Sequence, residues 1–171
     1  MRLPASSAVR DALGAALERA LETMAAAARE TREGATHEDS RAEGDKDMRS
    51  TEQSYLARGQ AMRVEDLLEQ IQRLRVFPLA NIEPGAAIVA GALVHVEMDE
   101  PGAADRRAGA QRVYFLVPYG GGTVLHVDGT EVIVVAPSSP VGSALLGKRV
   151  SDTFELRTRG AAREWIVRAV G

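Results

Sequence analysis

His37–Asp47, HEDSRAEGDKD, packs five carboxylates into eleven residues, and the sequence on both sides of it reads as long helix. Ser7–Arg32 before it and Met48–Arg75 after it are rich in Ala, Leu, Glu and Arg, the residues that lose least on entering a helix. In the first segment Val9, Leu13, Leu17, Leu21, Met24 and Ala28 recur at steps of three and four as one apolar stripe, with Ser6-Ser7 placed to cap its start. In the second, Ala57, Val64, Leu67, Ile71 and Leu74 keep steps of three, four and seven. Two such stripes joined by a short acidic link bury one another only if the helices fold back antiparallel. Residues 1–76 are therefore expected to form a coiled-coil hairpin with its acidic tip at 37–47. Each arm of about 27 residues would run roughly 40 Å at 1.5 Å per residue. Gly34 and Gly44 are expected to mark where helical order breaks.

The composition changes near residue 77. Up to Val76 the only Ile is Ile71 and there is no Phe or Trp, whereas the remainder is dense in Val, Gly and Pro. Phe77–Gly85, FPLANIEPG, carries two prolines and reads as a linker. Short β-branched segments follow at Ala87–Glu97, Arg112–Pro118, Thr123–Val127, Val132–Ala136, Thr153–Arg157 and Arg163–Val170. Tyr119–Gly122 and Asp128-Gly129 are the turns between them, and Ser138–Leu146 reads as a short helix with Ser138 or Ser139 as cap and Pro140 in its first turn. The fold class is α+β, a helical hairpin followed by a small antiparallel sheet domain over 86–171.

Charge and cysteine content exclude several function classes. The net charge of −3 is spread evenly, twelve bases against fourteen acids up to Val76 and nine against ten after it, so neither half attracts polyanions and stand-alone nucleic-acid binding is disfavoured. With no cysteine there is no disulfide, thiolate metal site or thiol nucleophile. Asp11, Glu18 and Arg19 interrupt any export-signal layout, and no apolar stretch approaches the ~20 residues a membrane span needs, so a soluble cytoplasmic protein is expected.

Ala136–Leu156, APSSPVGSALLGKRVSDTFEL, followed by REWIV, resembles the end of the GreA/GreB transcript cleavage factors of bacterial RNA polymerase. In that family a Ser-Pro pair opens a short helix, a Leu-Gly-Lys turn follows, and an acidic residue precedes two closing strands. The resemblance covers both halves, because a Gre factor is an antiparallel helical hairpin with acids at its tip joined to a β domain resembling an FKBP-type isomerase. It implies bacterial RNA polymerase as partner, with the β domain docking there through Ser139 and Pro140. The hairpin would then enter the secondary channel and meet nascent RNA indirectly.

At the tip the family carries Gly-Asp, with Glu three residues after that Asp and Asn next to it, and those two acids are implicated in holding a catalytic magnesium. Gly44-Asp45 matches the first half, whereas Met48 and Arg49 stand at the second. Tyr55 and Ala57-Arg58 are similar to a Tyr and an Ala-Arg pair early in the family's second helix. Asp45 is thus the carried-over acid, and Asp47, Glu43 or Asp39 is left to supply the second, with Glu38 a further candidate. Magnesium takes oxygen ligands and keeps several waters, so one or two lent carboxylates, Asp45 with Asp47 or Glu43, suffice to steady it beside a scissile phosphate. Arg41 and Lys46 would pair with acids or phosphate. No stably bound cofactor is expected, and no enzymatic activity without the polymerase.

Other residues read more plainly. His37 lacks a second His at ligand spacing and suits a cap or surface position. His95 and His126 alternate with apolar neighbours and are expected to be outward or half-buried sheet residues. Gly120–Gly122 has no following Lys-Ser/Thr helix, so a hairpin turn is expected instead of a phosphate cradle. Ser138 and Ser139 have no neighbouring base and read as caps. The aromatics beyond residue 76 are few and fall mostly at core positions, which argues against a proline-binding pocket. Leu145 and Leu146 are both expected in the core.

Three functions fit these residues: a monomeric Gre-like factor promoting cleavage of backtracked RNA, a secondary-channel regulator that does not cleave, and an acidic interaction arm for another partner. Met48 is what keeps the second open.

Overall fold

The computed structural model describes residues 2–38, 46–83, 85–99, 110–158 and 161–171, without the side chains of 30–38, 46–54, 56–57, 158 and 161. The described elements are α1 (Ser6–Glu38), α2 (Lys46–Val76), β1 (Leu93–Met98), β2 (Gln111–Leu116), β3 (Val124–Val127), β4 (Thr130–Val135), α3 (Pro140–Leu145), β5 (Thr153–Thr158) and β6 (Ala161–Val170). They group into two compact units, Gly14–Arg75 and a sheet unit made of residues 1–13 with Val76–Gly171.

In the helical unit Arg75 Nη2 lies 2.7 Å from Glu18 Oε1, which sets the start of α1 beside the end of α2 and makes the pair antiparallel, as the stripes require. Burial follows the stripes and fades along them: Leu17, Ile71 and Leu74 are buried, while Leu21, Met24, Ala28, Val64 and Leu67 are half-buried. The Ala-rich first stripe offers little apolar area per turn, so the far part of the hairpin is held by weaker packing. Gly34 does not end the first helix, which runs on to Glu38. One glycine costs about 1 kcal/mol against alanine, too little to stop a helix whose neighbours all favour it.

The sheet unit is a six-stranded sheet in the order β3-β4-β2-β1-β6-β5. All pairs are antiparallel except β2–β4, which departs from the expected all-antiparallel sheet. After β2 the chain crosses to the edge, forms β3, and returns through Asp128-Gly129 to lay β4 beside β2. Both turn residues have positive φ, 50° and 75°, as a two-residue hairpin loop demands. Gly120–Gly122 is a turn, yet it is no hairpin, because β2 and β3 are not neighbours.

The first strand is shorter than expected, since residues 87–92 are not strand. Gly91 turns there with φ 91°, and a Cβ on it would lie 2.7 Å from Pro78 O and 2.8 Å from Ala80 N, so the linker packs against it backbone to backbone. Ala80 N also donates to Gly91 O at 3.3 Å. One core holds Ile88, Val94, Val96, Tyr114, Leu116, Leu145, Phe154, Leu156, Trp165 and Val167, which brings α3 onto one face of the sheet. The alternate residues of the central strands, Leu93, His95, Val113, Phe115, Val132 and Val134, are buried too, as are Val9 and Leu13 in the first turns of α1. Among the described residues no helix is long and apolar enough to cross a membrane.

Candidate functional site

Asp39, Arg41, Glu43, Gly44 and Asp45 lie outside the described residues. The described residues on either side are helical: His37 and Glu38 close α1, and Lys46 and Asp47 open α2. The helices thus reach further into the acidic stretch than their apolar stripes indicate. Asp47 is helical, in the first turn of α2. Met48 is also helical. Carboxylate oxygens are the donor chemistry magnesium prefers, so the tip's composition fits that ion. Among the described residues no group of three or more His, Asp or Glu is placed to hold a metal.

The second candidate region is the start of α3. Ser139 is the N-cap, with φ −70° and ψ 159°, and its Oγ accepts from Gly142 N at 3.0 Å. Pro140 takes the first helical position, where its missing N–H costs nothing, and is exposed. Ser143 Oγ donates to Pro137 O at 3.1 Å and closes the turn from the other side. Gly142 is required here by contact: a Cβ would lie 2.1 Å from Ala136 O and 2.9 Å from Pro137 Cα. Leu145 is fully buried, but Leu146, expected beside it in the core, is 39% exposed. It follows the last helical residue, with φ −54° and ψ 133°, so the chain turns it away from the face that Leu145 fills.

His95 also departs from expectation. It is buried in β1, a strand flanked on both sides, and among the described residues its Nε2 has no hydrogen-bond partner. Burial pushes its pKa below the ordinary 6.5, opposed by a hydrogen bond with Gln111. The folded protein therefore keeps His95 neutral at a pH where the unfolded chain binds a proton. Stability should be independent of this group above pH 6.5 and fall as the pH drops from there toward the folded pKa, by at most about 1.4 kcal/mol per pH unit. Urea midpoints at pH 7.5 and 5.5 measure it, and His95→Gln should flatten the difference. His126 is exposed as expected, 3.8 Å from Glu131.

Two features were not anticipated. Arg112 Cζ sits 5.3 Å from the centroid of the Trp165 ring, and Arg112 Nη1 donates to Tyr114 Oη at 3.4 Å. Between His95 and Val96 the β1–β6 register slips, leaving Arg168 as the extra residue, and its Nε reaches Glu97 Oε2 at 2.6 Å. The Arg112–Trp165 and Arg168–Glu97 contacts join strands far apart in sequence, so no local signal announces them.

Among solved structures, the chain is similar to the GreA factor homolog 1 of Thermus thermophilus, at 22% identity over 92% of this chain and 94% of that one, with a TM-score of 0.38. The Gfh1 protein of Thermus aquaticus is 23% identical over 94% of each chain, with a TM-score of 0.39. A GreA/GreB elongation factor from Nitrosomonas europaea is 18% identical over 61% of this chain and 77% of that one, with a TM-score of 0.36. No protein-family model and no curated protein matches the chain. Superpositions this loose assign no activity.

Proposed function

We propose that this chain is a Gre-like transcription factor that docks on bacterial RNA polymerase through its sheet unit. Its acidic tip would enter the secondary channel and promote cleavage of backtracked RNA. The observation that carries the reading is the position of the acids: residues 39–45 join the ends of two antiparallel helices, so five carboxylates fall at or beside one end of an arm. The sequence pattern of Ala136–Leu156, with Ser139 as cap and Pro140 exposed, supports docking through the start of α3.

In this mechanism the polymerase owns the reaction and this chain lends oxygen ligands. A magnesium ion, when bound, would supply Lewis-acid polarisation of the phosphate and a more acidic water. Asp45, with Glu43, Asp39 or Asp47, would hold ion and water in place, and Arg41 and Lys46 would pair with phosphate or with the acids. The arm's length, about 40 Å from the helix rise, provides the reach.

A second reading has its own observation. Met48 and Arg49 occupy the positions of the family's Glu and Asn, which suits a regulator that occupies the channel without cleaving. Backtracked elongation complexes incubated with the protein separate the two. Magnesium-dependent shortening of the transcript, lost in Asp45→Ala, is expected. Binding without shortening would establish the second reading, and absence of binding would refute both.

A further inference from the structure

Two arginines of the sheet unit stand at one end of its core-bearing face without a counter-charge. The strand register sets Arg112 opposite Val96, Trp165 opposite Met98 and Arg163 opposite Leu156. Residues opposite one another in antiparallel strands share a face, and Val96, Met98, Trp165 and Leu156 all belong to the core, so both arginines spring from that face. Arg112 Cζ lies 5.3 Å from the centroid of the Trp165 ring, and Arg163 Nη1 lies 3.2 Å from Met98 Sδ. Both side chains belong to exposed residues, and among the described residues neither is ion-paired. Arg157 and Arg168 of the same sheet do have carboxylates, at 3.8 and 2.6 Å. The ring that Arg112 covers carries a third donor: Trp165 is 3% exposed, and its Nε1 has no hydrogen-bond partner among the described residues.

We propose that Arg112 and Arg163 form an oxyanion site over the Trp165–Met98 pair, taking one carboxylate or phosphate group. A guanidinium presents a fork of N–H donors that matches such a group, and the apolar face on one side strengthens the attraction. Arg112 is already held by the indole ring and by its 3.4 Å bond to Tyr114 Oη, so binding costs it less side-chain freedom. The buried indole N–H carries the penalty of an unmade hydrogen bond, which an incoming oxygen relieves. Nine bases against ten acids after Val76 give no pull on a long polyanion, so the ligand is a single charged group. The site is built from the sheet unit's own side chains and does not rest on the polymerase reading.

Trp165 is the only tryptophan, so its indole N–H gives one cross-peak in a nitrogen–proton correlation spectrum and reports on the site directly. The whole chain is titrated with phosphate and, separately, with acetate, against chloride at the same ionic strength. A saturable shift of that peak is expected, and the ion that produces it, phosphate, acetate or both, names the group. Arg112→Gln and Arg163→Gln should each raise the midpoint about tenfold or more, the loss of a charge-assisted bond. Arg157→Gln, an exposed arginine of β5 that has its own carboxylate, should leave the midpoint unchanged. The dispersion of the remaining cross-peaks shows that each variant is folded. A shift no different from that in chloride, or saturation that survives either Arg112→Gln or Arg163→Gln, would overturn the proposal.

Discussion

Gly142→Ala is expected to destabilise the sheet unit by about 3 kcal/mol or more, a large part of a small domain's stability. The new methyl would stand 2.1 Å from Ala136 O and 2.9 Å from both Ala136 C and Pro137 Cα. All three are backbone atoms, so no side chain can rotate out of the way. Relief requires α3 to lift from the preceding turn, which breaks the Ser139 Oγ cap and withdraws Leu145 from the core. Urea unfolding followed by the fluorescence of Trp165, the only tryptophan, measures it on the unit concerned. The variant's helical circular dichroism, dominated by α1 and α2, should largely persist. A stability unchanged within 1 kcal/mol would show that the turn before α3 is far softer than its packing indicates.

Phe115→Ala is expected to cost about 3–5 kcal/mol. Among the described residues Phe115 is the largest of the fully buried side chains, and it lies on β2, which has β4 on one side and β1 on the other. Strands on both sides prevent the backbone from closing the hole, so the transfer and cavity costs add. Leu146→Ala, one residue past α3 and 39% exposed, should stay under about 1 kcal/mol in the same assay. The contrast checks which apolar residues of the sheet unit are core, a point on which neighbouring leucines of identical chemistry divide.

That division shows how far the sequence carries. The helical hairpin was legible because the stripes repeat locally, and a local repeat needs only the 3.6-residue period to be read. Asp128-Gly129 and the Ser139 cap were legible for the same reason, being demands of single turns on particular residues. The β2–β4 parallel pair was not, because register and neighbour choice depend on the whole inventory of strands. His95 shows this: between Val94 and Val96 it reads as the outward residue of a half-buried strand, yet β1 stands between β2 and β6 and its residues on both faces are buried. Gly34 failed as a helix stop because the cost of one glycine was set against a long run of helix formers. At the tip the helices extend to Glu38 and Lys46, which places Asp47 on α2, while Asp45, Glu43 and Asp39 lie outside the described residues.

The central claim is that the acidic link between the helices reaches the polymerase active centre. The direct measurement places a photoreactive amino acid at position 45 and irradiates the protein bound to a backtracked elongation complex. The account expects an adduct with the 3′ segment of the nascent RNA or with the catalytic loop of the largest polymerase subunit. Adducts confined to the outer surface of the enzyme, with the protein demonstrably bound, would contradict it.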